Sequence, residues 1–298
     1  MEVSKMNANI FLVTLFTYID DWLKCQNMKL RQRGPQPRLH DSEVLTIEIA
    51  GAFFGISTDK GIFLHFQRHY GHYFPELVGI NRTTFVRQAA NLWMVKARLW
   101  QALLQKVNFD PAFSIVDSMP LPVCRFARAN RCRRLRDISA YGHDEVARQT
   151  FLGVRMHLHI CWPGVIVGLA IAPANVHEIP VAKELLAGSS GWVLADRNYW
   201  SPELKQRLTE HGLHLLAPFR KAKNEPRPWS IWLKHKRYRI ETVIGQLVQR
   251  FQAKKVWARD AWHFWSRWFR RVLSHTFAVF LYQQNGLRSL TFAELITD

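Results

Sequence analysis

Two short apolar runs each end in an aspartate: Phe113-Ser114-Ile115-Val116-Asp117 and Trp192-Val193-Leu194-Ala195-Asp196. Runs of this length, rich in β-branched and aromatic residues, read as buried strands. In open mixed sheets, sites form where strands end. A carboxylate there is held by rigid backbone at the rim of the sheet. If the two strands are neighbours, Asp117 and Asp196 meet. Their charges repel, and a bound Mg²⁺ relieves the repulsion. Glu241 is the best third carboxylate, on a helical stretch with Arg237, Arg239, Ile240 and Val243. On the residues alone the plainer reading, two aspartates serving as turn or cap residues, stays open.

The flanking sequence sets the frame. Phe11, Leu12, Leu15, Phe16 and Ile19 recur at helical spacing, and the first hundred residues read as helical. Gln32 to Pro37 is a turn or linker. Asp41 is placed to cap a helix from Ser42, with Gly55 as its stop, and Asn81 to cap another running to about Lys106. Thr150 to Trp162 and Val165 to Ala172, joined by Pro163-Gly164, read as a hairpin. Ser201, Pro202 and Gly212 bound a helix, and Leu213 to Pro218 is a last strand. From Ile231 the chain is helical again. The order predicts an α/β fold, a mixed sheet flanked by helices with a helical N-terminal domain. The boundaries are 1–108, a helical N-terminal region, and 109–298, the mixed-sheet domain with C-terminal helices.

Charge narrows the partners. The chain of 298 residues carries 41 Lys and Arg against 23 Asp and Glu, a net charge of +18. A folded protein this basic calls for a polyanion, with nucleic acid ahead of an acidic membrane surface. Six arginines, Arg125, Arg128, Arg131, Arg133, Arg134 and Arg136, crowd a stretch without helical or strand period, which favours phosphate contact over a merely solvated loop. Arg220, Lys221 and Lys223 follow the last strand as a second candidate contact. Trp229 and Trp232 precede Glu241 and are candidates for stacking on an unpaired base. Trp257, Trp262, Trp265 and Trp268 fit helix packing better. His157, His159 and His177 are candidates for groups standing behind the carboxylates, but a strand histidine is more often packed or on the surface, and none is expected as a ligand. The four cysteines, Cys25, Cys124, Cys132 and Cys161, contain no Cys-x-x-Cys pair and read as reduced thiols, without a zinc site. The longest uncharged stretch, Ile160 to Val176, is broken by prolines, so no membrane span is expected. Residues Met1 to Lys5 do not read as the start of a signal peptide, and with the reduced thiols a cytoplasmic location is expected.

Together these segments carry a family resemblance. Val116-Asp117-Ser118-Met119-Pro120-Leu121-Pro122-Val123 resembles the first-aspartate strand of bacterial insertion-sequence transposases of the DDE, RNase H-like class. Gly153 to His159 followed by Ala172 to Glu178 resembles their central hairpin and its loop. Ala195-Asp196-Arg197-Asn198-Tyr199 resembles their Asp-Lys-Gly-Tyr signature, with Asn198 where glycine is usual. Arg237 to Glu241 resembles their Arg-x-x-x-Glu helix. Lys234 and Val248 stand where the broader class often has tyrosine and lysine. Leu39 to Phe54 and Tyr73 to Leu77 are similar to the insertion-sequence group called nine-eighty-two. The resemblance implies two Mg²⁺ ions, replaceable by Mn²⁺, with Asp117 bridging both and Asp196 and Glu241 each holding one. It implies hydrolysis at the transposon end, attack of the freed 3′-hydroxyl on target DNA, Arg237 among the phosphate contacts, and a homodimer on DNA. The alternatives are an RNase H-like nuclease that does not transpose, an inactive DNA-binding protein, and a peripheral membrane protein using its basic, Trp-rich C-terminal helix.

Overall fold

The computed structural model describes residues 6–26, 34–219, 229–255, 258–287, 290, 292 and 296–297. In chain order, β1 (Met6–Asn7) leads into α1 (Ala8–Gln26), α2 (Asp41–Phe53), α3 (Asp59–His69), α4 (Arg82–Asn91) and α5 (Trp93–Leu104). Then come β2 (Asp110–Pro122), β3 (Ala140–Asp144), β4 (Gln149–Trp162), β5 (Val165–Pro173), α6 (Glu178–Leu185), β6 (Gly191–Leu194), α7 (Pro202–Glu210) and β7 (Leu213–Leu216). The helices α8 (Ile231–Gln249) and α9 (Ala261–Gln284) and the short β8 (Ile296–Thr297) finish the chain. These elements form two compact units. One comprises Met1–Val107, Leu247–Val256 and Trp262–Asp298; the other comprises Asn108–Gln246 and Trp257–Ala261.

The first unit is helical. Nearly every residue of α2 is buried, and Phe11 of α1 packs on Phe53 of α2 at 4.7 Å between ring centres and on Phe277 of α9 at 5.9 Å. Two expected helix ends differ. The residue capping α2 is His40, whose backbone N–H donates to Glu43 at 2.7 Å. Asp41 is already helical, and its carboxylate accepts from Gln88 of α4. The helix begun at Asn81 stops at Asn91 and restarts at Trp93. The carbonyls at the end of α4 are taken by side chains: Ala89 accepts from Lys96 and Ser266, and Ala90 from Trp262. Those bonds replace the helical ladder that would have carried α4 onward.

The second unit is built on a six-stranded mixed sheet in the order β3-β4-β2-β6-β7, with β5 also on β4. The pairs β2–β4, β3–β4 and β4–β5 are antiparallel, while β2–β6 and β6–β7 are parallel. This is the RNase H-like arrangement. The expected hairpin is present, turning at Gly164 with φ +132. Ser201 caps α7 through Leu204 N–H, and Gly212 ends it at φ +77. One face of the sheet buries Val116, Val193, Ala195 and Leu215 against Ala182 and Leu186 beside α6 and Leu204 and Leu208 of α7. Gly191 has φ +88, and a Cβ there would lie 2.3 Å from the Ala112 carbonyl oxygen, so only glycine lets β6 start this close to β2.

One correction concerns the first aspartate strand. It does not end at Asp117: β2 runs on to Pro122, paired with β4 at every residue from Ser114 onward. What ends near Asp117 is its pairing with β6, whose last paired step is Ile115 opposite Leu194.

Candidate active site

Asp117 and Asp196 each lie two residues beyond that last paired step. In a parallel pair, equal offsets from one register point are side by side, and residues two apart share a face. The register therefore brings the two aspartates together on the face of Ile115 and Leu194. Their electrostatics agree. Burial, then the Asp196 charge, pushes the Asp117 carboxyl up to about 7, against a hydrogen bond from Ser118 N–H at 2.7 Å. Burial also raises Asp196, and Glu178 adds to it, although Asp196 accepts from Asn198 N–H at 2.9 Å. Arg237 stabilises the charged form of both.

Glu241 is more open. It lies on α8, two-fifths exposed, and accepts from Arg237 at 3.0 Å. Its charge still acts on Asp117. Among the described residues, no three His, Cys, Asp or Glu side chains converge as a ready metal set. The donor chemistry nevertheless fits a hard cation. Two carboxylates held together against their own repulsion, with Asp117 pushed up to about 7, are what a divalent ion would charge and bind.

Behind the pair lies a shell of which the sequence singled out only His157. Glu178 opens α6, is buried, and accepts from Arg155 of β4 at 3.2 Å. Arg155 also donates to the carbonyls of His143 and Ala174. Ser118 and Glu178 approach to 3.5 Å. The Tyr199 hydroxyl lies 3.2 Å from His157 Nδ1, and burial with the surrounding carboxylates raises its pKa well above the ordinary value. Glu178 closes the quoted loop from Ala172 and Tyr199 closes the Asp196 signature, so both lay inside recognised segments. His157 and His159 are buried in β4, and burial lowers both to about 4. His177 caps α6 by accepting from Ile179 N–H.

The basic candidates divide. Arg125, Arg128, Arg131, Arg133 and Arg134 line one cavity of about 750 Å³ with Cys124 and Cys132; Arg136 is exposed and outside that lining. Burial and the neighbouring Cys132 thiol push Cys124 up to about 11. Trp232 is exposed and Trp229 half-buried. Arg220, Lys221, Lys223 and Trp257 lie outside the described residues. Trp268 is fully buried in α9, as expected of a packing residue. No described helix is long and apolar enough to cross a membrane.

A mixed sheet in this order, with two aspartates side by side where its central parallel ladder ends, defines an α/β protein of the RNase H-like class. Residues 110–260, half of the chain, match the family model described as the transposase DDE domain. The chain belongs to the DDE transposases, enzymes that move DNA. Among solved structures, it is similar to a piggyBac transposase in a synaptic complex with hairpin DNA, at 10% identity and a TM-score of 0.49 over 98% of this chain and 79% of that one. No curated protein matches.

Proposed function

We propose that this enzyme is a bacterial insertion-sequence transposase of the nine-eighty-two group, with Asp117, Asp196 and Glu241 as its catalytic carboxylates. The observation that carries the carboxylate assignment is the matched position of Asp117 and Asp196 beyond Ile115 and Leu194; the group rests on the resemblance of the quoted segments alone. Asp117, Asp196 and Glu241 would hold divalent cations, two Mg²⁺ ions or Mn²⁺ in their place, with the half-exposed Glu241–Arg237 pair easily parted. The ions, when bound, polarise the scissile phosphate and lower the pKa of the attacking water. The chain's own residues do the rest. Arg155 and Ser118 hold Glu178 behind the pair, and Asn198 N–H fixes the Asp196 carboxylate. Arg237 answers the negative charge of the phosphate.

The DNA partners are a transposon end, which the enzyme hydrolyses to a 3′-hydroxyl, and a target, which that hydroxyl attacks. Arg125, Arg128, Arg131, Arg133, Arg134 and Arg136 grip the backbone, with Arg220, Lys221 and Lys223 near the cut and Trp229 and Trp232 beside unpaired bases. The helical region 1–108 serves end binding and dimerisation, and a homodimer in the cytoplasm holds two ends. The net charge of +18 supports the DNA partner.

The test is Mg²⁺-dependent cleavage of DNA carrying the element's ends by the parent, Asp117→Asn, Asp196→Asn and Glu241→Gln. Each variant should lose cleavage by roughly 100-fold or more, the rate equivalent of about 3 kcal/mol, while DNA binding survives. Full cleavage by all three variants refutes the assignment.

A further inference from the structure

The face of β2 and β6 that carries Asp117 and Asp196 also carries an aromatic cleft, four residues earlier on each strand. Phe113 pairs in register with Trp192, as Ile115 does with Leu194. Alternation puts Phe113, Ile115 and Asp117 on one face, with Trp192, Leu194 and Asp196 beside them. Phe113 contacts Trp162 at 6.1 Å and Trp232 of α8 at 6.2 Å between ring centres. These four aromatics, with Asp110, Ala112 and Lys236, line a cavity of about 400 Å³, within the roughly 300–1,000 Å³ usual for small-ligand sites.

The cleft is open because the ladder fails there. Asp110 pairs with Trp162 and Ser114 with the adjacent Cys161, so the three residues between Asp110 and Ser114 have no partners on β4. Such irregularities re-aim side chains beside active sites. The indoles are correspondingly wet: Trp192 is 48% and Trp232 59% exposed. One side of Trp192 is met by His214 at 4.8 Å. The Lys236 ammonium sits 3.5 Å over Trp162 and 5.4 Å from Trp232, and Arg239 lies 5.1 Å from Trp162. The indoles thus pin cations in place beside open ring faces.

We propose that this cleft binds an unpaired nucleobase of the DNA strand processed at Asp117 and Asp196, a reading that rests on the transposase function proposed above. Trp192 and Trp232 stack on the base. Lys236 meets the adjoining phosphate, and Asp110 offers an acceptor to an amino or ring N–H. The spacing fits at both ends. Four strand residues from Phe113 to Asp117 span ~13 Å, and nine helical residues from Trp232 to Glu241 span ~13.5 Å. The base is therefore within about four nucleotides of the processed phosphate, at ~3.4 Å per stacked nucleotide.

The probes are a duplex, the same duplex with a short oligothymidine 3′ extension, and that extended duplex with abasic sites in the extension. Affinities are measured for the parent, Trp192→Ala, Trp232→Ala and Trp192→Phe, each checked for fold by circular dichroism. The extension should tighten parent binding, and one abasic site should remove about ten-fold of affinity, the scale of one stacked base. Each alanine variant should lose about ten-fold on the extended duplex and become insensitive to the abasic site, while Trp192→Phe keeps most of the effect. The proposal is overturned if the alanine variants bind the extended duplex as the parent does, or if the abasic site costs them as much. A parent that binds no DNA at all overturns the transposase reading itself; a parent that binds the duplex but ignores the extension overturns only the cleft.

Discussion

Arg237 donates to the carboxylate of Glu241 at 3.0 Å, one turn along α8. The side chains are 31% and 41% exposed, and exposed helical pairs at this spacing contribute only about 0.3–0.5 kcal/mol. The pair is therefore cheap to open. Arg237 also favours the charged forms of Asp117 and Asp196, so it competes with any cation placed there. Arg237→Ala releases Glu241 and removes that competitor. Both effects favour the metal. The Mn²⁺ concentration for half-saturation, read by thermal shift without DNA, should fall about five-fold, equivalent to about 1 kcal/mol. A rise would mean that Glu241 needs Arg237 to face the site.

Buried charge in the helical unit predicts an order of stabilities. Lys96 is fully buried and donates to Glu48, to Ser266 Oγ at 2.7 Å and to the Ala89 carbonyl at 3.0 Å. Glu48 also accepts from Arg270 at 3.0 Å, which in turn meets Asp59 at 2.5 Å. Lys96→Met leaves Glu48 with Arg270. Glu48→Gln strips charge from the surroundings of two buried cations. Breaking a buried pair costs roughly 3–5 kcal/mol, so Lys96→Met belongs near the lower figure and Glu48→Gln near the upper. Urea midpoints in the reverse order would show that Arg270 relies on Asp59 alone.

Three buried histidines set an acid limit. Burial lowers His157 and His159 to about 4 and His275 to about 3, against an ordinary 6.5. Each folded pKa is depressed, so between these values the unfolded chain binds more protons. Stability is then full above about pH 6.5 and lost as the pH falls towards 4. His159 lies beside Gly168 and Leu185, where Phe can stand in for a neutral imidazole. His159→Phe should flatten the urea-derived stability slope between about pH 6 and 4 by up to ~1.4 kcal/mol per pH unit. A slope unchanged from the parent would show that His159 is not held neutral.

Much of this was legible in local pattern. The two aspartate runs, the Pro163-Gly164 hairpin and the Ser201, Pro202, Gly212 boundaries of α7 depend on neighbouring residues alone. The full length of β2 was not: proline has no N–H to give a ladder, and Pro120 and Pro122 stand where the strand goes on. They are tolerated because β6 has already ended at Leu194, leaving β2 with β4 as its one partner there. The stop at Leu92 was hidden for a different reason: side chains far away in sequence, Ser266 and Trp262, take the α4 carbonyls. Glu178 and Arg155 are 23 residues apart, and only the packing of α6 on β5, the strand next to β4, brings them together.

The arginine-lined cavity gives the last prediction. Arg125, Arg128, Arg131, Arg133 and Arg134 surround one space of about 750 Å³ with no described carboxylate among its lining residues. Five guanidinium groups so placed repel one another, and a polyanion in the cavity would relieve the repulsion. Each phosphate neutralised releases counterions and adds about 0.9 to the slope of log K against log salt. Arg128→Ala combined with Arg131→Ala should lower that slope by about 1.8 for duplex DNA. It should weaken transposon-end and unrelated duplexes alike, since phosphates carry no sequence. A smaller slope change with a lost preference for the transposon end would instead put these arginines on base edges in a groove. An unchanged slope with unchanged affinity would sink the backbone role and leave the cavity's charge to some other anion.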